Sequence, residues 1–200
     1  MLYFLHGYTA TAELYVKLLE LPDSIDRAMA AGAREMIVVF PDAFTKYSGS
    51  MYSNSPTIGD WEAFIARDLT AFLDARYRTV PTRESRGLAG HSMGGYGTWR
   101  IGMKQSEAFG SLYAMSSCCL MNDLAGARGA APARGETAPG QGAAGRGGAM
   151  ANALSAQAAA WAPNPRNAPL FFDLPTRDGE VQPLTAAKWL ANSPLVFIDQ

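Results

Sequence analysis

LAGHSMGGYGTW, residues 88–99, sets a serine two residues from a glycine on either side, where an apolar run gives way to a helix-like one. Gly90-His91-Ser92-Met93-Gly94 thus satisfies G-x-S-x-G. With 13 serines and 20 glycines in 200 residues, chance alone supplies about 0.13 such matches, so the flanks must decide. A sharp strand-to-helix turn holds a serine hydroxyl above a sheet only where a strand precedes it and a helix follows. The glycines remove side chains that would collide there. Leu88-Ala89-Gly90 and the run from Gly94 to Gln105 supply both contexts. Ser92 is therefore the candidate nucleophile.

Working outward, the rhythm is that of a mostly parallel α/β sheet flanked by helices. Leu2 to Leu5 reads as a short buried strand closed by the turn His6-Gly7. Thr11 to Ala31 has helical spacing at Leu14, Leu18, Leu21 and Ile25, restarted at Pro22. Met36 to Phe40 is β-branched and apolar, which predicts a strand covered on both faces. Small polar residues from Thr45 to Gly59 suggest a long loop over the carboxyl ends of the strands. Asp60 can then cap a helix whose apolar stripe is Trp61, Phe64, Ile65, Leu69, Phe72 and Leu73. Arg86–Gly90 and Phe109–Ser116 complete four strands, with room between them for right-handed crossovers.

The second part of the chain differs. Residues 125–150 are almost wholly Ala, Gly, Pro and Arg, with too little apolar bulk to order themselves, and read as a flexible excursion. Asn152 to Trp161 favours a helix stopped by Pro163 and Pro165. Leu170–Leu174 suggests a short strand or lid segment, and Thr185–Ala191 a last short helix. The expected organisation is an α/β core over 1–119 and a cap or lid region over 120–200, with its low-complexity loop at 125–150.

Composition narrows the partners. Hydrophobic residues are 48% and charged residues 18%, with a formal charge of −1, which suits a globular chain and gives no reason to expect nucleic acid or an anionic membrane. No apolar run approaches the roughly 18 residues that span a bilayer. MLYFLHGYTA lacks a basic n-region and a cleavage site, so a cytoplasmic location is expected. Cys118 and Cys119 are adjacent, with neither metal-site nor disulfide-framework spacing, and read as small buried apolar groups. Nothing calls for a metal or cofactor.

An acyl-transfer serine also needs donors for an oxyanion. One is the N–H of the following residue, Met93. A second source is His6-Gly7-Tyr8 after the first strand, where glycine lets the chain turn so that the Tyr8 N–H faces the serine. His6 is then structural.

YFLHGY (3–8), VVFPDA (38–43), YSNSPTIGDWEAFIARDL (52–69), Tyr77-Arg78 and LAGHSMGGYGTW (88–99) together resemble the "putative esterase" family of α/β-hydrolases. That group includes S-formylglutathione hydrolases, feruloyl and acetyl xylan esterases and mycolyltransferases. The resemblance covers residues 1 to about 118 well and continues weakly over 151–200. It implies an α/β-hydrolase core and a serine carboxylesterase acting on a small-molecule ester through an acyl-enzyme. Ser92 would be the nucleophile, Tyr8 and Met93 the oxyanion donors, and Asn54 a substrate-binding residue.

The family's triad runs Ser, then Asp or Glu, then His. This chain has only His6 and His91. His91 immediately precedes Ser92, and neighbouring side chains diverge on a sharp turn. Asp123, Asp173, Asp178, Glu180 and Asp199 follow the serine, but none is followed by a histidine, so no acid is assigned. Relatives carry two strands before the first strand here and two after the fourth, with the acid and histidine on the latter. The expectation is therefore a partial hydrolase core with slight or absent ester turnover, and with unpaired sheet edges that favour a homo-oligomer. The alternative is a non-catalytic binding relative that keeps the pocket without the triad.

Overall fold

Strand β1 (Leu2–Leu5) buries Tyr3 and Leu5 completely, as expected of a strand with neighbours on both sides. The computed structural model describes residues 1–121, 146–178 and 180–197, giving the backbone alone for 146–151 and 197. After β1, helix α1 (Ala12–Lys17) starts at Thr11, whose Oγ1 accepts from the Leu14 N–H at 3.2 Å. Helix α2 (Leu21–Ala30) restarts with proline in its first turn and buries no residue fully.

Strand β2 is two residues long, Val38–Val39, and lies at the sheet edge, with β1 as its one partner among the described residues. Met36 and Ile37 stay 42% and 37% exposed, so the apolar run 36–40 is a half-covered edge and not a doubly covered strand. The loop over the strand ends contains a small antiparallel hairpin of β3 (Asn54–Ser55) and β4 (Gly59–Asp60). Asp60 Oδ1 then accepts from the Ala63 N–H at 2.9 Å, capping a helical stretch made of α3 (Trp61–Ala63), a π-turn (Phe64–Asp68) and α4 (Leu69–Arg76). The wider π-turn rotates the stripe: Ile65, Ala66 and Leu73 are buried, while Phe64 and Phe72 are exposed.

Strand β5 (Gly87–His91) pairs in parallel with β1, and helix α5 (Met93–Lys104) follows after one residue. Strand β6 (Ser111–Met115) pairs in parallel with β5, giving the sheet order β2-β1-β5-β6. The outer edge of β6 has no strand partner among the described residues, and Tyr113 on it is 67% exposed.

Helix α6 (Arg146–Trp161) packs its C-terminal half against the sheet's helices. Ala156 and Ala158–Ala162 are buried, and the Trp161 ring packs 5.5 Å from Tyr96 and 5.2 Å from Trp189. Residues 125–145, the bulk of the low-complexity loop, lie outside the described residues. Leu170–Leu174 yields one isolated bridge, Pro163 to Phe172, in place of a strand. A two-residue hairpin of β7 (Thr176–Arg177) and β8 (Glu180–Val181) precedes helices α7 (Pro183–Leu190) and α8 (Pro194–Phe197).

A buried ion pair ties these layers together. Arg100 Nε donates to Glu62 Oε1 at 2.6 Å, and its Nη1 donates to the Tyr96 hydroxyl and to Asn192 Oδ1. Among the described residues no helix is long and apolar enough to cross a membrane.

Candidate active site

Chain order reverses between β1 and β5: the chain leaves β1 toward β2 and returns on the other side to lay down β5 and β6. In open parallel sheets the crevice beyond the carboxyl ends of two such strands is where ligands bind. Register brings Leu5 level with Gly90, so the turn after β1 meets the turn after β5. A Cβ on Gly7 would lie 3.5 Å from both the carbonyl oxygen and Nδ1 of His91.

Ser92 has φ 56° and ψ −112°, a conformation that L-residues avoid. The sheet holds it there. Its N–H donates to the Met115 carbonyl at 3.0 Å, and its own carbonyl accepts from Tyr96 N–H at 3.0 Å and Cys118 N–H at 3.2 Å. A Cβ on Gly90 would fall 2.3 Å from the Gly94 oxygen, and one on Gly94 would fall 2.1 Å from the Leu5 oxygen. Both glycines are therefore required by close backbone approach. Thr9, Ser48, Met51, Tyr52, Ser116 and Cys119 also have positive φ. These follow β1 or β6 or lie in the loop above, so backbone strain is concentrated at this end of the sheet, as it is around functional sites. Ser92 is half-buried, and its Oγ makes no hydrogen bond among the described residues.

The two backbone N–H groups expected as oxyanion donors belong to Met93 and Tyr8. Met93 is the first residue of α5, where an N–H has no intrahelical acceptor and the helix end is electropositive. In the turn after β1, Gly7 N–H donates to the Tyr15 hydroxyl at 2.8 Å, Thr9 N–H to Ser48 O at 3.0 Å and Ala10 N–H to Gly7 O at 3.2 Å. The Tyr8 N–H has no acceptor among the described residues. Gly49 packs against both: a Cβ there would fall 2.7 Å from Met93 Sδ and 2.8 Å from the Tyr8 ring. The Tyr8 phenol, pushed up to about 12 by burial, donates to Tyr47 O at 3.2 Å.

Both histidines have other partners. His6 is buried, its Nδ1–H donating to Gly7 O at 2.9 Å while Nε2 accepts from Ala43 N–H at 2.8 Å. That pair of bonds fixes one neutral tautomer, and burial pushes the ring's pKa below its ordinary value. His91 is exposed and sets Nδ1 3.3 Å from the Tyr15 hydroxyl. No imidazole is hydrogen-bonded to Ser92. Asp173 accepts from Asn164 and Asn167 amides, and Asn54 gives its Nδ2–H to Asp60 Oδ2 at 3.0 Å on the exposed hairpin. The hydrogen bonds of Asn54 run to Glu62 and Asp60 and not to the Ser92 turn. No group of His, Cys, Asp or Glu among them has the arrangement of a metal site.

A family model described as "Putative esterase" matches residues 1–199. The chain belongs to that family. Among solved structures, a ferulic acid esterase is 33% identical with a TM-score of 0.54, the match covering 59% of this chain and 46% of that one. FphF, a fluorophosphonate-binding serine hydrolase of Staphylococcus aureus, is 20% identical at a TM-score of 0.50, over 64% of this chain and 44% of that one. MPT51 of Mycobacterium tuberculosis is 22% identical at 0.48, over 99% and 74%. Comparison with curated proteins gives no match. The chain thus spans less than half the length of the first two structures, and its sheet is the α/β-hydrolase sheet over that span.

Within this esterase-family core, sequence reasoning missed Tyr15 and Tyr52. Tyr15 bridges the Gly7 N–H and His91, and Tyr52 donates its hydroxyl to the His6 carbonyl at 3.2 Å with its ring under Gly97. Neither is singled out in the sequence, where Tyr52 falls in the loop 45–59. Their hydroxyl partners lie on other segments, so no local spacing signals them.

Proposed function

We propose that the chain is the core of a carboxylic-ester hydrolase in which Ser92 Oγ attacks the carbonyl carbon of a small-molecule ester. In this reading the Tyr8 and Met93 N–H groups receive the developing oxyanion, the alcohol leaves, and water releases the acid from the acyl-serine. The observation that carries it is the strained Ser92 turn at φ 56°, followed at once by the first residue of α5 and set level with the turn after β1 by the Leu5–Gly90 register. Ferulate-type aromatic esters, after the acid named for the 33%-identical structure, are the first substrates to try. For Asn54 to reach such a substrate, its amide must leave Asp60. The part of the chain beyond about residue 120 is proposed as the cap over this crevice.

The serine proton has no imidazole acceptor among the described residues. Turnover is accordingly expected far below that of a full triad, toward the residual 10³–10⁴-fold over water that oxyanion donors and binding alone supply. That same observation favours a second reading, a binding relative that retains the pocket without the reaction. A fluorophosphonate probe with peptide mapping tests the first. Slow stoichiometric labelling at Ser92, lost in Ser92→Ala, supports it. Labelling elsewhere, or p-nitrophenyl acetate turnover undiminished in Ser92→Ala, refutes it, and a Ser92 that never labels leaves the binding reading.

A further inference from the structure

The ester chemistry leaves one pair of nucleophilic side chains unused. Cys118 and Cys119 lie just beyond β6, both half-buried, with their sulfurs 2.7 Å apart. The sequence reading as inert apolar groups does not account for this approach, nor for the amide of Gln157, whose Nε2–H donates to Cys119 Sγ at 3.3 Å across from α6. Cys119 also has φ 61°, so the peptide joining the pair is held in a conformation that non-glycine residues resist. The shared hydrogen bond with Cys118 lowers the Cys119 pKa against its burial, with Gln157 adding to the effect, and it raises that of Cys118. Cys119 is thereby the better thiolate, the form that attacks disulfides.

We propose that Cys118 and Cys119 form a thiol–disulfide exchange site for low-molecular-weight disulfides, with glutathione disulfide as the probe, closing reversibly into an eight-membered vicinal ring. Cys119 thiolate attacks one sulfur of glutathione disulfide, forming a mixed disulfide and expelling one glutathione thiolate. Cys118 then loses its proton to solvent, attacks Cys119 Sγ and expels the second glutathione thiolate. The two cysteines are oxidised by two electrons, and one glutathione disulfide is reduced to two thiols.

Geometry sets both the ease of closure and its reversibility. A covalent S–S bond is about 2.05 Å, so the sulfurs need to approach by only about 0.7 Å. Adjacent Cα atoms across a trans peptide are about 3.8 Å apart, however, below the roughly 4.4–6.8 Å that disulfides prefer. The ring is therefore strained and easily reduced, a switchable state and not a structural staple. Because Cys118 N–H donates to the Ser92 carbonyl at 3.2 Å, the pair shares a hydrogen bond with the strained serine turn.

The test does not depend on the reactivity of Ser92. The full chain is incubated with glutathione disulfide near neutral pH, quenched in acid and weighed intact. The expected result is loss of the mass of two hydrogens, localised to the peptide holding both cysteines and regained with dithiothreitol. Cys118→Ser, which keeps the attacking thiol and lacks the resolving one, is expected to accumulate one glutathione adduct. A wild-type chain that keeps two thiols, or stops at the adduct, overturns the proposal; this measurement decides even where the variant fails to fold.

Discussion

Gly94→Ala is the sharpest probe of how the site is built, because the added methyl meets backbone and has nowhere to go. Its Cβ would fall 2.1 Å from the Leu5 oxygen, 2.6 Å from the Leu5 carbonyl carbon and 2.9 Å from the His6 oxygen. Raising the shortest of these to the 3.0 Å floor for real Cβ contacts requires α5 and β1 to part by about 0.9 Å. The parting falls between the two proposed donors, since Met93 begins α5 and Tyr8 follows β1. A misplacement of about 1 Å costs on the order of 10²-fold in rate, and overpacking costs about 1–3 kcal/mol of stability. Gly102→Ala is the control: its Cβ would fall 2.4 Å from Leu112 Cδ1, but that is the end of a side chain on the open edge strand, 38% exposed and able to rotate. The assay is the fluorophosphonate labelling rate at Ser92 beside urea unfolding. Gly94→Ala is expected to label about 10²-fold slower while still folded, and Gly102→Ala at the wild-type rate. Equal labelling in Gly94→Ala, or equal slowing in both, refutes the claim that this backbone contact sets the donor spacing.

Tyr15→Phe leaves the buried Gly7 N–H without its acceptor and is expected to lower stability by about 1–3 kcal/mol, read as a lower urea midpoint at unchanged slope. The neutral, buried His6 has a folded pKa below the 6.5 of the free side chain, so the unfolded chain binds the extra proton as pH falls. Its contribution is fully present above about pH 6.5 and declines below that by up to about 1.4 kcal/mol per pH unit; urea titrations should show this leg in wild type and a flatter one in His6→Gln, and a stability that rises on acidification contradicts the assignment. Tyr113→Lys places a charge on the open β6 edge and is expected to reduce any concentration-dependent association seen by sedimentation velocity. Added imidazole, a free general base, is expected to raise p-nitrophenyl acetate turnover in a Ser92-dependent way, and an identical rise in Ser92→Ala speaks against acylation at Ser92.

The sequence made the Ser92 turn legible because everything that defines it is local: strand, Gly90, Gly94 and helix lie within eighteen residues, 87–104. The Asp60 cap and the restart of α2 at Pro22 were legible for the same reason. Failures came where the answer depended on a distant neighbour. Val38–Val39 has the composition of a doubly covered strand, yet whether it lies inside or at the edge depends on other strands. The π-turn at Phe64–Asp68 inserts residues into a stripe that regular periodicity places on one face. Helix α6 gave no direction of burial, because an alanine run has no apolar moment, and only its contact with Tyr96 and Trp189 through Trp161 shows the packed side.

The same distinction separates the serine from its missing base. The strain at Ser92 is held by its N–H donating to Met115 O, by its carbonyl accepting from Tyr96 and Cys118 N–H, and by the close approach of Gly94 to Leu5, none of which involves a proton acceptor for Oγ. The four-stranded sheet is therefore sufficient to hold the strained turn at Ser92 without any such acceptor. His6 shows why a buried imidazole of this end of the sheet cannot take over. Rotating it away would strip the acceptor from Ala43 N–H, in the segment after β2, and the donor from Gly7 O, in the turn after β1, at once. The histidine that braces the turn after β1 is thus prevented from serving as a base by the bonds that hold that turn.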